Sequence, residues 1–326
     1  MKAFLFLPLL CLGCFSPEKT EQSEQPLCGR YLLRAHGQPG NYLYHHQDTI
    51  LEINPYKANG EYGDLTLMND ENKMIGVFYC DYDSSCTNRI FLEDISTGNH
   101  QTVFETEHDH YMSALSLSRD DSLVAFTYTK PGSMKNPPLY KTKYSTIYIL
   151  DIANKRILYQ VPTILASDPA YMAESNSWDP ASARFVFTNG RIQPYDTIDY
   201  LFFLEQGVYI RDIKNDVLTS IATHGHNAIW SNSGESIAYM SDDQIVLYDV
   251  LDKKSGTIYV EKPGENINQI HWNPCTDNEL YIVSWHTTNR LLKTGHTVEQ
   301  VLNVNTGSLI QRKTVNIGEN SISWMK

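Results

Sequence analysis

Clustered positive charge is what this chain most lacks. Its 326 residues carry 26 Lys and Arg against 38 Asp and Glu, a formal net charge of −12. The acids are spread along the chain. The densest basic spots, Lys141 with Lys143 and Lys253 with Lys254, are too thin to neutralise a run of phosphates, which excludes nucleic acid as a partner. Long helical patterns are missing too: past the N-terminus no stretch beyond about ten residues repeats apolar side chains at helical spacing. There is no G-x-S-x-G elbow, no Walker phosphate loop and no H-E-x-x-H pair, so nothing assigns a catalytic residue, a cofactor or a metal. Nor is there an N-x-Ser/Thr glycosylation acceptor, which favours a bacterial envelope protein over a eukaryotic secreted one.

What is present leans toward strands. The chain is 41% apolar and has 21 Tyr, and aromatic and β-branched residues pack best on pleated surfaces. Its length suits two ordinary domains or one large all-β domain. The N-terminus, MKAFLFLPLLCLGC, has one Lys, an apolar run from Ala3 to Leu12, then Gly13-Cys14. That run is too short for a bilayer but right for an export signal. Gly13 before Cys14 resembles the bacterial lipoprotein processing site, although Cys11 stands where that family usually has Leu. The resemblance implies residues 1–13 as signal peptide, lipid on Cys14, and residues 14–27 as a flexible tether. Phe15 in place of Asp after the lipid site implies sorting to the outer membrane. Cys11 and Cys14 form a C-x-x-C only inside this signal. Cys28, Cys80, Cys86 and Cys275 remain, an even number in an oxidising compartment.

Internal repetition organises the rest. HNAIWSNSGESIAYMSDDQIVLYDV, residues 226–250, reads strand, turn, strand, turn, strand. With Trp230 as reference, the pattern recurs at Met68, Leu117, Trp178 and Trp272, and the chain stops on a copy reduced to its first strand at Trp324. Each complete copy runs into a third strand ending near Asp and then a fourth. Four strands per repeat of about 40–50 residues is the signature of a β-propeller. The repeat resembles the TolB-type, WD-like propeller repeat, whose core reads roughly Trp-Ser-Pro-Asp-Gly before a strand ending in Phe. The matching residues are Trp230-Ser231-Asn232-Ser233-Gly234 and Trp178-Asp179-Pro180. The expected architecture is all-β: one six-bladed propeller over residues 28–326, its last blade closed by pairing N-terminal strands from residues 30–54 with the C-terminal strand.

Two places invite function. Aromatic-rich insertions fall between strands two and three at residues 129–145 and 189–207, with a shorter one at 80–86, and binding residues commonly sit on such loops. Four residues before each reference position stand Asp64, Ser113, Glu174, His226, Asn268 and Asn320, all polar. In register they would ring the axial channel mouth and hold a cation or polar ligand. His224, His108 and His110 add imidazoles to that face, without any zinc-binding spacing. In the same register, disulfides are expected across the Cys80–Cys86 loop and between Cys28 and Cys275, whose turns lie side by side on the opposite face. Serine peptidases of the prolyl oligopeptidase class carry a similar propeller beside a hydrolase domain, but six blades leave no room for one.

The function expected is a lipid-anchored module of the bacterial cell envelope. It would bind another envelope protein or a polar ligand on the insertion-bearing face, or help assemble a complex there. The alternative is a propeller enzyme, a lyase or hydrolase working at the axial ring.

Overall fold

The computed structural model describes residues 31–34, 42–46, 49–53, 56–57, 60–70, 72–80, 87–107, 110–131, 143–161, 171–194, 201–289, 294–315 and 321–323. These residues form six antiparallel sheets, I to VI, and no helix. Sheet I holds Gly60–Leu67, Lys73–Cys80, Asn88–Asp94 and His100–Thr106, with the two-residue strand Tyr56–Lys57 added at the edge of its first strand. Sheet II runs from Tyr111–Leu117 to Arg156–Val161, sheet III from Tyr171–Trp178 to Val217–Ala222, sheet IV from His226–Trp230 to Lys254–Val260 and sheet V from Glu265–Trp272 to Leu309–Val315. Within each, strands follow chain order. Sheet VI is assembled from both ends: Ser321–Ser323 pairs antiparallel with Tyr31–Arg34, Leu33 opposite Ile322, and Tyr42–His46 and Thr49–Ile53 follow.

Strand geometry explains how neighbouring sheets stack. Successive residues of a strand point to opposite faces, so a strand covered on both sides is apolar at nearly every position. The second strand of sheet II is such a strand. Val124, Phe126 and Tyr128 pack with Met68, Ile75, Val77 and Ile90 of sheet I, while Ala125 packs with Trp178, Phe185 and Phe187 of sheet III. Sheet IV divides its second strand likewise: Ile237 and Tyr239 face Val186 and Val208 of sheet III, and Ala238 and Met240 face Ile267, Leu280 and Ile282 of sheet V. Burying one such Phe or Ile side chain contributes roughly 1.5–3 kcal/mol. The first strands of sheets I to V are in contact in chain order, and sheet VI touches sheet I through Tyr31–Arg34.

The Asp that ends each third strand has a mechanical reason. Asp94, Asp151, Asp212 and Asp249 each accept, through Oδ1, the backbone N–H three residues on, from Thr97, Asn154, Asn215 and Asp252 at 2.7–2.9 Å. Asn303 does the same for Thr306 at 3.0 Å. The chain then passes through a left-handed residue at Gly98, Lys155, Asp216, Lys253 or Gly307. A short polar side chain mimicking a backbone turn is what favours Asp and Asn there. Hydrogen bonds to the carboxylates of Asp94, Asp151 and Asp212 hold their pKa values below the ordinary one.

The first turn of each repeat is also legible. Its fourth residue past the reference position is left-handed at Asp121, Ser182 and Gly234, which is where the Trp-Ser-Pro-Asp-Gly pattern places Gly. The insertion expected at residues 189–207 is largely a lengthened hairpin: strands Arg184–Pro194 and Leu201–Asp212 stay paired as far as Pro194 opposite Leu201. The strands flanking the 129–145 insertion run on to Pro131 and resume at Lys143, and residues 132–142 lie outside the described residues.

Candidate ligand face

The inner strands of sheets I to V break register at equivalent places. Pairing slips between Tyr62 and Leu65, Ser113 and Ser116, Ala173 and Asn176, His226 and Ile229, and Ile267 and Gln269. A bulge inserts a residue, bends the strand and re-aims its side chains. Asp64, Glu174 and Asn268 of the expected ring fall inside these bulges, and Ser113 and His226 at their edges. Ala114 and Asn227, the residues after Ser113 and His226, take left-handed φ values of 53° and 50°. For alanine that conformation costs roughly 1–2 kcal/mol, so the surrounding sheet enforces it. No apolar-pattern reading could find the bulges, because they alter pairing and leave composition untouched.

The bulges bring ring positions of neighbouring sheets together. Asp64 Oδ2 accepts the Ala114 backbone N–H at 2.6 Å, tying sheet I to sheet II beside Ser113. Asn227 Nδ2 donates to the Asn268 carbonyl at 3.2 Å, tying sheet IV to sheet V beside His226. Ser113 and Asn268 are exposed and His226 is half-buried. Burial pushes the His226 pKa below the usual imidazole value against the pull of Asp242, so the ring favours its neutral form. The Glu174 side chain, all of Asn320, and His108 lie outside the described residues. The groups in place, a hydroxyl, an amide and an imidazole, suit hydrogen bonding to a polar ligand. Among the described residues no group of three or more His, Cys, Asp or Glu is placed to hold a metal ion.

His110 turns inward instead. Its Nδ1 lies 2.6 Å from Tyr128 Oη and 3.2 Å from Thr106 Oγ1, and its carbonyl accepts from Asn88 Nδ2 at 2.8 Å. Tyr128 is buried between that imidazole and the Tyr148 ring, whose centroid is 4.9 Å away. This histidine serves the joint between sheets I and II.

At the other end of the inner strands, the first turns form a second polar system that the sequence reading passed over. The Asp277 carboxylate of sheet V accepts the backbone N–H groups of Asn232 and Ser233 of sheet IV at 2.7 and 2.9 Å. Asp121 of sheet II accepts the N–H of Asn69 in sheet I, and Ser182 of sheet III accepts that of Asp120 at 3.3 Å. Arg119 of sheet II reaches past sheet III to put Nη2 3.4 Å from Asn232 Oδ1. Burial lowers its pKa and the Asp277 charge opposes that shift. The signal was there: an acid or small residue four or five places after Leu117, Trp178, Trp230 and Trp272.

Cys80 and Cys275 are each disulfide-bonded, while Cys28 and Cys86 lie outside the described residues, as does Cys14.

No protein-family profile matches the chain, and no curated protein matches it. Solved structures do. TolB from Acinetobacter baumannii matches with a TM-score of 0.56 at 14% identity over 89% of this chain, which spans 64% of that protein's length. An oligogalacturonate lyase from Vibrio parahaemolyticus matches with a TM-score of 0.56 at 13% identity, over 83% of this chain and 70% of that one. A putative TolB from Agrobacterium tumefaciens matches with a TM-score of 0.51 at 12% identity, over 91% of this chain and 99% of that one. Likeness at such identities speaks to architecture alone. It makes this chain an all-β protein with the fold of the TolB-like β-propellers.

Proposed function

We propose that the chain is a binding or assembly module of the bacterial cell envelope, built as one closed six-bladed propeller over residues 28–326 and held by lipid on Cys14 after loss of residues 1–13. Its tether, residues 14–27, approaches the propeller at Cys28. A bond from Cys28 to Cys275 in the first turn of sheet V would fix the tether on that face, with a second bond joining Cys80 to Cys86. The insertions at 129–145 and 189–207 then point away from the membrane, toward a protein partner or polar ligand.

The observation that carries this reading is the hairpin of sheet III, whose paired strands of 11 and 12 residues outrun the 6-residue second and third strands of sheet IV. Paired backbone projecting from a rigid scaffold presents side chains at low entropic cost, as recognition requires. The test is site-specific photocrosslinking in cells, from Leu201 on the hairpin and from Leu251 on the opposite end of sheet IV. A protein adduct at Leu201 that is absent at Leu251 supports the reading. Equal labelling at both, or none, overturns it. Membrane fractionation of Cys14→Ser tests the anchor separately, since the variant must leave the membrane fraction.

The rival reading, a lyase or hydrolase at the axial ring, draws on half-buried His226 and on the likeness to an oligogalacturonate lyase. Cleavage of oligogalacturonate by the purified protein, abolished by His226→Ala, would replace the binding role with a catalytic one.

A further inference from the structure

The core between sheets IV and V changes character along its length. It is apolar where Leu280, Ile282 and Leu302 meet Ala238, Met240 and Ile245, then turns polar at Ser284, His286, Gln300 and Glu265. Glu265 stands opposite His286 across strands one and two, and His286 opposite His296 across strands two and three. The Glu265 side chain is only 1% exposed. Its Oε2 is held by the Tyr259 hydroxyl at 2.6 Å and the Lys262 N–H at 3.0 Å. That clamp leaves Oε1 facing His286 Nε2 at 3.4 Å, and Oε1 is buried with no hydrogen-bond donor. Gln300 Oε1 is buried in the same condition.

One imidazole nitrogen cannot satisfy this surrounding. His286 Nε2 lies 2.9 Å from Ser284 Oγ, 3.3 Å from the Gln300 amide nitrogen and 3.4 Å from Glu265 Oε1. Protonated, it donates to a single acceptor. Unprotonated, it sets a lone pair against the carboxylate. Even with the His286 proton given to Glu265 Oε1, Gln300 Oε1 stays buried without a donor, and without that proton both oxygens do. A Gln amide turned about its last bond exchanges O for N in the same space, so Gln300 can offer its oxygen to the centre of this group.

We propose that Glu265, His286 and Gln300, with Ser284 beside them, form a binding site for a first-row divalent cation such as Zn²⁺ or Mn²⁺. Ligand atoms at roughly 2.1 Å from a tetrahedral ion stand about 3.4 Å apart, close to the 3.3 and 3.4 Å that separate His286 Nε2 from Gln300 and Glu265. An imidazole with a carboxylate and an amide oxygen selects such ions over Ca²⁺ and Mg²⁺, which take oxygen alone. The hydrogen bonds on Oε2 are the outer support that orients a metal-binding carboxylate.

The local field has the right sign. Burial and the charges of Glu265 and Asp243 push the Glu261 pKa up, against the hydrogen bond its carboxyl accepts from the Ile267 N–H. Burial, then the hydrogen bond to Glu265, then the Glu265 and Glu261 charges raise that of Tyr259. Lys262 brings its backbone N–H to Glu265, and among the described residues no Lys or Arg pairs with Glu261 or Glu265. His286 is 30% exposed, so an ion has a way in past its ring. The His296 ring stacks on it at 5.8 Å.

The test uses untagged full-length protein, stripped with EDTA and titrated with ZnCl₂ and MnCl₂ by calorimetry, with manganese also followed by electron paramagnetic resonance. One equivalent is expected, with a rise in melting temperature, and Glu265→Gln and His286→Asn should each weaken binding by about 10–100-fold. Both variants are first melted in EDTA beside the wild type. If Glu265→Gln does not fold, His286→Asn at its partly exposed position decides. No bound ion at micromolar concentration, or equal binding in the variants, overturns the site. Binding that is lost only on His226→Ala would place the ion at the axial ring instead.

Discussion

The indole N–H of Trp178 donates to the carbonyl of Ser116 at 2.8 Å, and Trp272 donates to Ile229 at 3.2 Å in the same relation. In both cases the reference residue of one repeat bonds to the residue just before the reference position of the preceding repeat. Trp230 breaks the rule: its Nε1 is buried with no acceptor, its amide N–H goes to Ser177 Oγ at 3.2 Å, and the Arg184 guanidinium lies 4.8 Å from the centre of its ring.

That contrast gives a paired test. Trp178→Phe and Trp230→Phe remove similar ring volume, but only the first also removes a made hydrogen bond and takes the indole donor from a half-buried carbonyl. Trp178→Phe should lower stability by about 1 kcal/mol more than Trp230→Phe. Denaturant midpoints at unchanged slope measure the difference. Equal losses would mean that the indole bond contributes nothing net.

Gly234→Ala should destabilise by about 1–3 kcal/mol for two separable reasons. Its φ of 78° suits glycine, and an added Cβ would lie 2.7 Å from Pro180 Cδ of the neighbouring sheet. Adding Pro180→Ala relieves the collision and leaves the backbone strain. The double variant should therefore recover part of the loss, and full recovery would show that the left-handed turn carries no cost.

His271 sets a pH dependence. Burial alone lowers its pKa to about 4 from 6.5, and its Nε2 is buried without a hydrogen-bond partner. The unfolded chain therefore takes up a proton below pH 6.5 that the folded chain refuses until about pH 4. Stability is complete above the unfolded value and falls as pH drops through this window, by up to about 3 kcal/mol. His271→Gln should flatten that fall. His226 has the same sign of shift, so a slope unchanged by His271→Gln would assign it elsewhere.

Deleting residues 321–326 removes the strand that pairs Ile322 with Leu33. An exposed edge on Tyr31–Arg34 would follow, and exposed edges pair with other chains. The truncated protein should melt several degrees lower and associate in solution. A monomer melting within a degree or two of the full chain would show that sheet VI closes nothing.

Sequence alone determined the strands, the repeat and the fold class. A strand covered on both faces is apolar at nearly every position, and a third strand ends in Asp or Asn where its side chain supports the following left-handed turn. Such rules are local, so Val124–Tyr128 and Asp94, Asp151, Asp212 and Asp249 announce them in the chain. The repeat register was legible too: Asp64, Ser113 and His226 fall in or beside equivalent breaks in strand pairing, but the bulges themselves were not foreseen. Only the tertiary structure decided which polar groups meet. Glu265, His286 and Gln300 come from three strands, and Asp277 and Arg119, far apart in sequence, both reach Asn232 across sheets. Their association depends on cross-strand register and on the stacking of neighbouring sheets, which no spacing along the chain encodes.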